Sequence, residues 1–309
     1  MKVLVTGGAG FIGSHVVDAY VEAGHEVVVV DDLSHGKREN VPPHLQFYRL
    51  DIRDKTQLRL LFQLEGFDVV VHQAALANVR ESMERPDVYA EVNIIGSINL
   101  LEASKDFGVK RFIYASTGGA VYGEPLYLPV TEEHPINPLD PYGASKHTVE
   151  HYLYLYHANY GLPYVVLRYP NVYGPTQDPF GEAGVIAIFT GRMLAGQPVT
   201  INGDGTQQRD FVYVGDVARA NLLALTRGDN GIFNLGTGRP VDVNTIFTKL
   251  KELTEYPYEP NYGPAKKGEV YRIYLDAGKA RSSLGWVPQV DFDEGLRLTV
   301  EYFRSHRPF

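Results

Sequence analysis

Short apolar runs alternate with longer amphipathic segments over the first 169 residues of this chain. The runs are rich in Val, Leu and Tyr, as in "KVLVT", "EVVVV", "LQFYRL", "DVVVH", "RFIYAS" and "YVVLRY". The segments between them show helical spacing, and two of them end at a glycine: "FIGSHVVDAYVEAG" and "YGASKHTVEHYLYLYHANYG". Strands that are apolar throughout must be covered by helices on both faces. We therefore predict an α/β fold built on a doubly wound parallel sheet.

The pattern changes after Tyr169. Residues 170–184, "PNVYGPTQDPFGEAG", are rich in turn formers, and further breaks follow at "NGDGTQQRD" and "NYGPAKKGE". The elements in this part are shorter and less regular. We predict a first domain over 1–169 and a smaller C-terminal lobe over 170–309, with a segment near 210–240 returning to the first sheet.

The composition excludes several classes of function. The chain of 309 residues carries a net charge of −8 and contains no cysteine, so we expect neither disulfides nor thiolate chemistry. No long basic run is present, and we expect no binding to nucleic acid. The histidines show no metal-binding spacing, and no stretch of about 20 apolar residues occurs. We expect a soluble cytoplasmic protein with no metal site and no membrane contact.

A glycine-rich segment joins the first predicted strand to the first predicted helix. In "VTGGAGFIGSH" the spacing Gly8-x-Gly10-x-x-Gly13 is preceded by Gly7. Glycine permits the tight turn and lets a pyrophosphate approach the backbone, while the N–H groups at the helix start meet its charge. Because a strand precedes the motif and a helix follows it, we predict a dinucleotide site of the Rossmann type.

Acidic residues follow two of the apolar runs. Asp31 lies 18 positions past Gly13, where a carboxylate accepts both ribose hydroxyls of the adenosine half and repels a 2′-phosphate. NAD is therefore favoured over NADP, and Asp32 could share this role. Asp51, which is followed by Ile52, fits an acid beside the adenine. An acid at a helix N-terminus is the alternative for Asp51.

Tyr142 and Lys146 lie four residues apart in "PYGASKHTVE", so a helix places both on one face. A tyrosine with a pKa of about 10 needs a depression of about 3 units, roughly 4 kcal/mol, to act as a base near pH 7. One cation about 5 Å away at an effective dielectric of about 20 supplies roughly 3 kcal/mol. We predict Tyr142 as the base, with its pKa lowered by Lys146 and by a positively charged nicotinamide.

These residues resemble those of the extended short-chain dehydrogenase/reductases, and specifically of the UDP-glucose (galactose) 4-epimerases. The resemblance extends over nearly the whole chain and rests on "VTGGAGFIGSH", "DDLSHG", "VHQAA", "VNIIGS", "VYGE", "PYGASK", "LRYPNVYGP", "GDGTQQRDFVYVGD", "FNLGTG" and "KKGEV". It implies an enzyme that uses bound NAD to oxidise C4 of a UDP-hexose and then reduces the 4-keto sugar from its other face. Relatives commonly dimerise through the helix that carries the catalytic pair, so a homodimer is expected.

The resemblance also assigns residues to the two ligands. Those beside NAD would be Gly7, Gly10, Phe11, Ile12, Gly13, Asp31, Asp32, Leu33, Ser34, His35, Gly36, Asp51, Ile52, Gln73, Ala74, Ala75, Ala77, Asn93, Tyr142, Lys146, Tyr169 and Pro170. Those beside the UDP-sugar would be Thr117, Tyr142, Asn171, Arg209, Lys266, Glu269 and Ile273. Asn171 and Arg209 would hold the diphosphate. The alternatives are a turn residue for Asn171 and an ion pair with Asp210 for Arg209.

Two positions depart from the family pattern. Lys266 stands where an arginine is usual, and lysine keeps the charge without the bidentate fork. Ile273 stands where the family limits the size of the sugar, which implies poor or partial use of N-acetylhexosamines. Epimerisation of UDP-N-acetylhexosamine or UDP-glucuronate therefore stays open.

A catalytic hydroxyl is expected after the strand "RFIYAS", where the family places a Ser or Thr that bridges the sugar 4-OH and Tyr142. Counting back from Tyr142 at the family interval gives Thr117, whereas counting back from "VYG" gives Gly118. We predict Thr117, with Ser116 as the second choice.

Other reactions and a role without catalysis are the remaining alternatives. A 4,6-dehydratase needs an acidic pair directly after Thr117, and Gly118 and Gly119 stand there. A decarboxylase acting on a nucleotide sugar stays open. A protein that only binds NAD is the alternative outside enzymes, and it is disfavoured because both Tyr142 and Lys146 are present.

Overall fold

The computed structural model of the protein describes residues 1–180, 184–265 and 270–306. Its strands are β1 Lys2–Thr6, β2 Glu26–Asp31, β3 Gln46–Arg49, β4 Val69–His72, β5 Arg111–Thr117, β6 Tyr164–Tyr169, β7 Asn171–Tyr173, β8 Thr200–Asn202, β9 Gln208–Tyr213, β10 Gly231–Asn234, β11 Pro240–Asp242, β12 Asn261–Gly263 and β13 Arg272–Ile273. Its α helices are α1 Phe11–Glu22, α2 Lys55–Glu65, α3 Val79–Glu84, α4 Pro86–Tyr89, α5 Gly96–Asp106, α6 Pro141–Tyr160, α7 Val185–Leu194, α8 Val214–Ala224, α9 Val243–Thr254, α10 Gly278–Leu284 and α11 Phe292–Ser305. A π-helical turn, Ala90–Ile95, joins α4 to α5.

The central element is a seven-stranded sheet in the order β10-β6-β5-β4-β1-β2-β3. Every neighbouring pair in it is parallel. From β1 at the centre, the chain adds β2 and β3 towards one edge of the sheet. It then returns to the centre with β4, beside β1, and adds β5 and β6 towards the other edge. The order therefore reverses between β1 and β4, which is where this class of fold forms its ligand crevice. The predicted doubly wound parallel sheet is confirmed.

Each face of the sheet carries its own apolar core. Val3 and Val5 of β1 belong to a cluster with α1, α8 and α10, and Leu4 between them belongs to a second cluster with α2, α5 and α6. The alternation follows from the two-residue period of a strand, which sends successive side chains to opposite faces. It explains why the strands are apolar throughout.

A smaller sheet and three helices form the second lobe. In this sheet β9 is central, with β11 and β13 beside it and β7 also paired to it. The helices α7, α9 and α11 pack over it in a third apolar cluster that includes Phe189, Phe247 and Val300. The chain crosses back from this lobe: β10 joins the large sheet, and α10 packs on that sheet together with Trp286. Among the described residues, no helix is long and apolar enough to cross a membrane.

Candidate active site

One cavity of about 1520 Å³ opens at the carboxyl ends of the central strands and extends to β9 and α7. The residues predicted to lie beside NAD line its wall, with the exception of Leu33 and Asn93. Thr117, Asn171 and Arg209, which were predicted for the sugar nucleotide, line it as well. Residues predicted for the cofactor and residues predicted for the substrate, which lie far apart in the sequence, thus line a single cavity.

The turn after β1 needs glycine at two positions. Gly7 has a φ of +70°, and its N–H donates to the carbonyl of Val30 over 2.8 Å. A Cβ atom at Gly13 would lie 2.0 Å from the carbonyl oxygen of Gly7, so any side chain there would push the helix away from the turn. Helix α1 begins after Gly10 without a side-chain cap, which leaves its first N–H groups available to an anion.

Asp31 ends β2 at the floor of the cavity. Its carboxylate accepts hydrogen bonds from the backbone N–H groups of Ala9 (3.0 Å) and Leu33 (2.9 Å). Burial raises the pKa of Asp31, while these two hydrogen bonds act in the opposite direction. Leu33 does not line the cavity; with a φ of +62° it forms the turn that directs its N–H to Asp31. The predicted contact of Leu33 with NAD is thus replaced by a role in shaping the turn.

The other two candidate acids differ from Asp31 in exposure. Asp32 is in a turn, where it accepts hydrogen bonds from the backbone and the hydroxyl of Ser34. Asp51 forms an ion pair with Arg53 over 2.6 Å, and that pair lowers the pKa of Asp51. The cap of helix α2 is Asp54, which accepts from the N–H of Gln57. The helix-capping alternative for Asp51 is therefore wrong.

The loop 73–77 after β4 is tied to its surroundings at both ends. Gln73 is hydrogen-bonded to the phenol of Tyr169 and to Asn221. The side chain of Asn93 accepts from the N–H of Leu76 (2.9 Å) and donates to its carbonyl (3.0 Å). Asn93 is 1% exposed and lies behind the loop, so it holds the loop in place. It does not line the cavity, and its predicted place beside NAD has no support in its position.

Helix α6 brings Tyr142 and Lys146 to the cavity wall. It begins at Pro141 and is capped by Asp140, whose carboxylate accepts from the N–H of Gly143 over 2.7 Å. The spacing of four residues places Tyr142 and Lys146 on the same face, as predicted from the sequence. The Nζ atom of Lys146 lies 4.6 Å from the ring centre of Tyr114 and has no hydrogen bond or ion pair within the described ranges.

The pKa of Tyr142 moves in the direction opposite to our expectation. Burial raises it to about 12 and the charge of Asp140 acts in the same direction, while the Thr117 hydroxyl opposes the rise. Burial also lowers the pKa of Lys146 to about 7, which Glu150 opposes. Removal from water disfavours the charged form of either group, and the neighbouring side chains do not offset this. The chain's own groups thus favour a neutral phenol at Tyr142.

The two candidate hydroxyls, Ser116 and Thr117, lie next to each other at the end of β5 but have different partners. Ser116 donates to Glu150 over 2.6 Å, and Glu150 forms a buried ion pair with Arg168. These contacts lower the pKa of Glu150 to about 2. Ser116 also lines the cavity, but its hydroxyl is engaged by Glu150. Thr117 instead interacts with the phenol of Tyr142. This geometry favours Thr117 as the hydroxyl presented to a ligand.

The far end of the cavity is formed by β7 and β9. Asn171 begins β7, and Arg209 lies on β9, where its guanidinium donates to the backbone carbonyls of Gln208 and Tyr271. The neighbouring Asp210 accepts from the backbone of Thr237 on the opposite face of the strand, because adjacent side chains point apart. Lys266 and Glu269 lie outside the described residues.

Ile273 does not take the position that we expected. It is 2% exposed and belongs to a small apolar cluster with Val121, Tyr122, Val130 and Leu275. It is not among the described residues that line the cavity. The size limit that we assigned to Ile273 therefore has no support in its position.

Sequence reasoning missed several wall residues in the second lobe. Gln207 and Phe211 line the cavity on either side of Arg209, and the two-residue period of a strand would have found both. On α7, Val185, Ile188, Phe189 and Arg192 line it with the period of a helix. That helix starts at Val185, directly after the segment 170–184 that is rich in turn formers, and we predict no helix there from the sequence.

The fold and this cavity agree with one protein family. Residues 3–236 match the model of the NAD dependent epimerase/dehydratase family. The chain belongs to that family, and the predicted use of NAD is confirmed by the match.

Within the family, the chain is similar to UDP-glucose 4-epimerases. The enzyme of Thermotoga maritima, solved with UDP-glucose, is 54% identical with a TM-score of 0.98, covering 99% of this chain and 100% of that one. The enzyme of Thermus thermophilus, solved in complex with NAD, is 48% identical with a TM-score of 0.94, covering 98% and 99%. The enzyme of Mycolicibacterium smegmatis is 42% identical over 311 residues, which cover 99% of each chain.

Proposed function

We propose that this protein is an NAD-dependent 4-epimerase that interconverts UDP-galactose and UDP-glucose through a transient 4-keto sugar. The observation that carries the proposal is the meeting of Thr117, Tyr142 and Lys146 in one cavity with a dinucleotide-binding turn. The similarity to UDP-glucose 4-epimerases over nearly the full length supports the choice of substrate.

The residues of the first domain fit NAD. The uncapped start of α1 suits a pyrophosphate, and the buried carboxylate of Asp31 suits the hydroxyls of the adenosine ribose. Lys146 offers a buried ammonium that lacks a hydrogen-bond partner among the described residues, as expected where a ligand supplies the acceptors. When bound, NAD supplies the hydride acceptor and donor of the reaction.

Proton transfer falls to Tyr142 and Thr117. We infer that Thr117 bridges the sugar 4-OH and the phenol of Tyr142, while Lys146 stabilises the phenolate and holds ribose hydroxyls of the cofactor. The environment of Tyr142 in the chain raises the pKa of its phenol to about 12. The chain alone therefore does not convert Tyr142 to the phenolate that acts as a base. A second positive charge close to the phenol is required to lower this pKa.

We place the diphosphate of the substrate at Asn171 and Arg209. The planar guanidinium of Arg209 is suited to two parallel hydrogen bonds with phosphate oxygens. Roles for Lys266 and Glu269 in the same diphosphate site stay predictions. The hexose itself must turn over between the two half-reactions, and the shared cavity of about 1520 Å³ is compatible with such a movement.

The test uses the purified protein without added dinucleotide. We expect bound NAD to be released on denaturation and UDP-galactose to be converted to UDP-glucose. UDP-N-acetylgalactosamine and UDP-glucuronate are supplied in parallel, and the highest kcat/KM identifies the sugar. Conversion of UDP-glucuronate alone, or of no sugar at all, would overturn the proposal.

We also propose a homodimer formed through α6. On this helix His151, Tyr154, Leu155 and Ala158 are exposed and lie on one face, with Tyr154 55% and Leu155 39% exposed. Exposed apolar side chains at helical spacing are typical of an interface. Sedimentation should give a dimer, and a monomer at working concentration would contradict it. A cytoplasmic location stays a prediction.

A further inference from the structure

A buried row of polar side chains runs beneath the cavity from β1 to α5. The hydroxyl of Thr6 lies 2.7 Å from Nδ1 of His72, and Nε2 of His72 lies 2.8 Å from the hydroxyl of Ser97. The three residues are at most 1% exposed, so no water competes for these hydrogen bonds. None of them lines the cavity.

The direction of every proton in this row is determined by its last member. Ser97 is 2.5 Å from the carbonyl oxygen of Asn93, which has no proton to give, so the Ser97 hydroxyl must donate there. Ser97 therefore accepts from Nε2–H of His72. With Nε2 protonated and the ring neutral, Nδ1 accepts from Thr6.

The surroundings of the ring keep it neutral. Burial and the nearby charge of Lys146 hold the pKa of His72 well below its usual value. The rings of Phe112 and Tyr114 pack against the imidazole at centroid distances of 6.0 and 5.6 Å and offer no acceptor to a second N–H. A protonated ring would have two donors, so the Thr6 hydroxyl would have to reverse and accept from Nδ1.

The row ends at the residue that connects the cofactor loop to the catalytic helix. Asn93 lies in the π-helical turn and holds Leu76 of the loop 73–77. Its amide also donates to Ser145 over 2.9 Å, and Ser145 donates to the carbonyl of Tyr142 over 2.8 Å. A shift of the turn would change the distance between the loop and Tyr142.

We propose that His72 is a positioning residue for the epimerase reaction: as the neutral Nε2–H tautomer it fixes the π-helical turn through Ser97 and thereby aligns Tyr142 with the loop 73–77. The proposal rests on the proposed function. It explains why a histidine, which can accept at one end and donate at the other, stands in an otherwise apolar core.

The first test compares His72→Phe, Ser97→Ala and His72→Gln in the enzyme with its bound NAD. We expect His72→Phe and Ser97→Ala to lower kcat by about 10- to 100-fold, because small misplacements of catalytic groups have effects of this size. The KM for UDP-galactose and the amount of bound NAD should stay within about twofold. His72→Gln keeps one acceptor and one donor and should restore part of kcat.

Ser104→Ala is the matched control. Ser104 lies on the same helix, is fully buried and donates to the carbonyl four residues before it, as Ser97 does, but it lies outside the row. We expect it to lower the thermal midpoint as much as Ser97→Ala while leaving kcat unchanged. Equal kcat values for Ser97→Ala and Ser104→Ala would overturn the proposal, as would an unchanged kcat in His72→Phe.

The tautomer can be measured without any turnover. Long-range ¹H–¹⁵N spectra of histidine-labelled protein, with His72 assigned by its loss in His72→Gln, should show Nε2 protonated and no titration between about pH 6 and 8. A ring protonated at Nδ1, or one that titrates in this range, would overturn the proposal. If the wild type does not convert UDP-galactose, the proposed function fails, while this spectrum still decides the tautomer. The same spectrum decides the matter if His72→Phe does not fold.

Discussion

The two ends of the cavity differ in how far the chain's own groups satisfy the side chains that face it. At the adenosine end, Asp31 accepts two backbone N–H groups, and Gly13 lies so close to Gly7 that no side chain fits. At the catalytic end, Tyr142 and Lys146 are moved towards their neutral forms, and Lys146 has no partner atom among the described residues. The chain thus completes the glycine-rich turn by itself, whereas Tyr142 and Lys146 lack the partner charges that the proposed function assigns to bound ligands.

Glu150 shows that burial alone does not decide this difference. It is as buried as Lys146, at 3% exposure for each, and yet its pKa falls to about 2. The reason is its pairing with Arg168 over 2.6 Å and its hydrogen bond from Ser116. A buried charge is stable where the chain provides partners, and Lys146 is left without them where the cofactor is proposed to bind.

Removal of the Tyr142 hydroxyl should have the largest effect. We expect Tyr142→Phe to lower kcat by about 10³-fold or more, because proton transfer by a positioned group contributes up to about 10⁴-fold. The bound NAD should be retained, since the adenosine end is untouched. The measurement is turnover of UDP-galactose together with the dinucleotide content of the purified protein.

Tyr160→Phe is the control, because Tyr160 lies on the same helix with 59% of its surface exposed, away from the cavity and outside the face proposed for the dimer. Turnover by Tyr142→Phe at more than a tenth of the wild-type rate would remove Tyr142 as the base.

Thr117→Val should follow, with a loss of about 10²-fold in kcat if this hydroxyl assists proton transfer. Ser116→Ala is the comparison at the adjacent position. It removes a hydrogen bond to Glu150, so we expect lower stability, by about 1–3 kcal/mol, with a smaller change in kcat. The reverse order of the two kcat values would assign the catalytic hydroxyl to Ser116.

Substitution of Gly13 tests the adenosine end of the cavity. A methyl group there would meet the Gly7 carbonyl at 2.0 Å, so Gly13→Ala should destabilise the fold by about 2 kcal/mol or more and reduce bound NAD. Gly24→Ala is the control, because Gly24 has a φ of +79° but nothing within 4 Å of its would-be Cβ. It should cost only about 1 kcal/mol and leave NAD in place. Equal loss of NAD in both variants would show that the close contact at Gly13 is unimportant.

The same contrast separates what the sequence could predict from what it could not. Gly13 and Asp31 were found because a turn and the residue after a strand are local features. Tyr142 and Lys146 were found because a helix brings residues four apart together. The burial of Ile273 and the return of α10 to the large sheet depend on contacts between distant segments, which local patterns do not contain. The direction of the pKa shifts also depends on such contacts, since it follows from burial.

The effect of pH on stability tests the catalytic end directly, without any measurement of turnover. The pKa of Lys146 in the folded chain is about 7, against a usual value of 10.5. Between these values the unfolded chain binds a proton that the folded chain does not, so this residue destabilises the fold, fully at pH 7 and below and less as the pH rises. Lys146→Met should therefore be more stable than the wild type, with an advantage that shrinks by at most about 1.4 kcal/mol per pH unit.

Chemical denaturation of both proteins after removal of NAD, at intervals from about pH 7 to 9.5, measures this difference. The upper bound is chosen because Tyr142, whose pKa is raised to about 12, begins to affect stability above pH 10 in both proteins alike. A wild type that is the more stable protein throughout, or a difference independent of pH, would mean that the folded chain holds Lys146 charged with a partner of its own. The chain would then supply the partner of Lys146 itself, as it supplies the hydrogen bonds of the turn around Gly13.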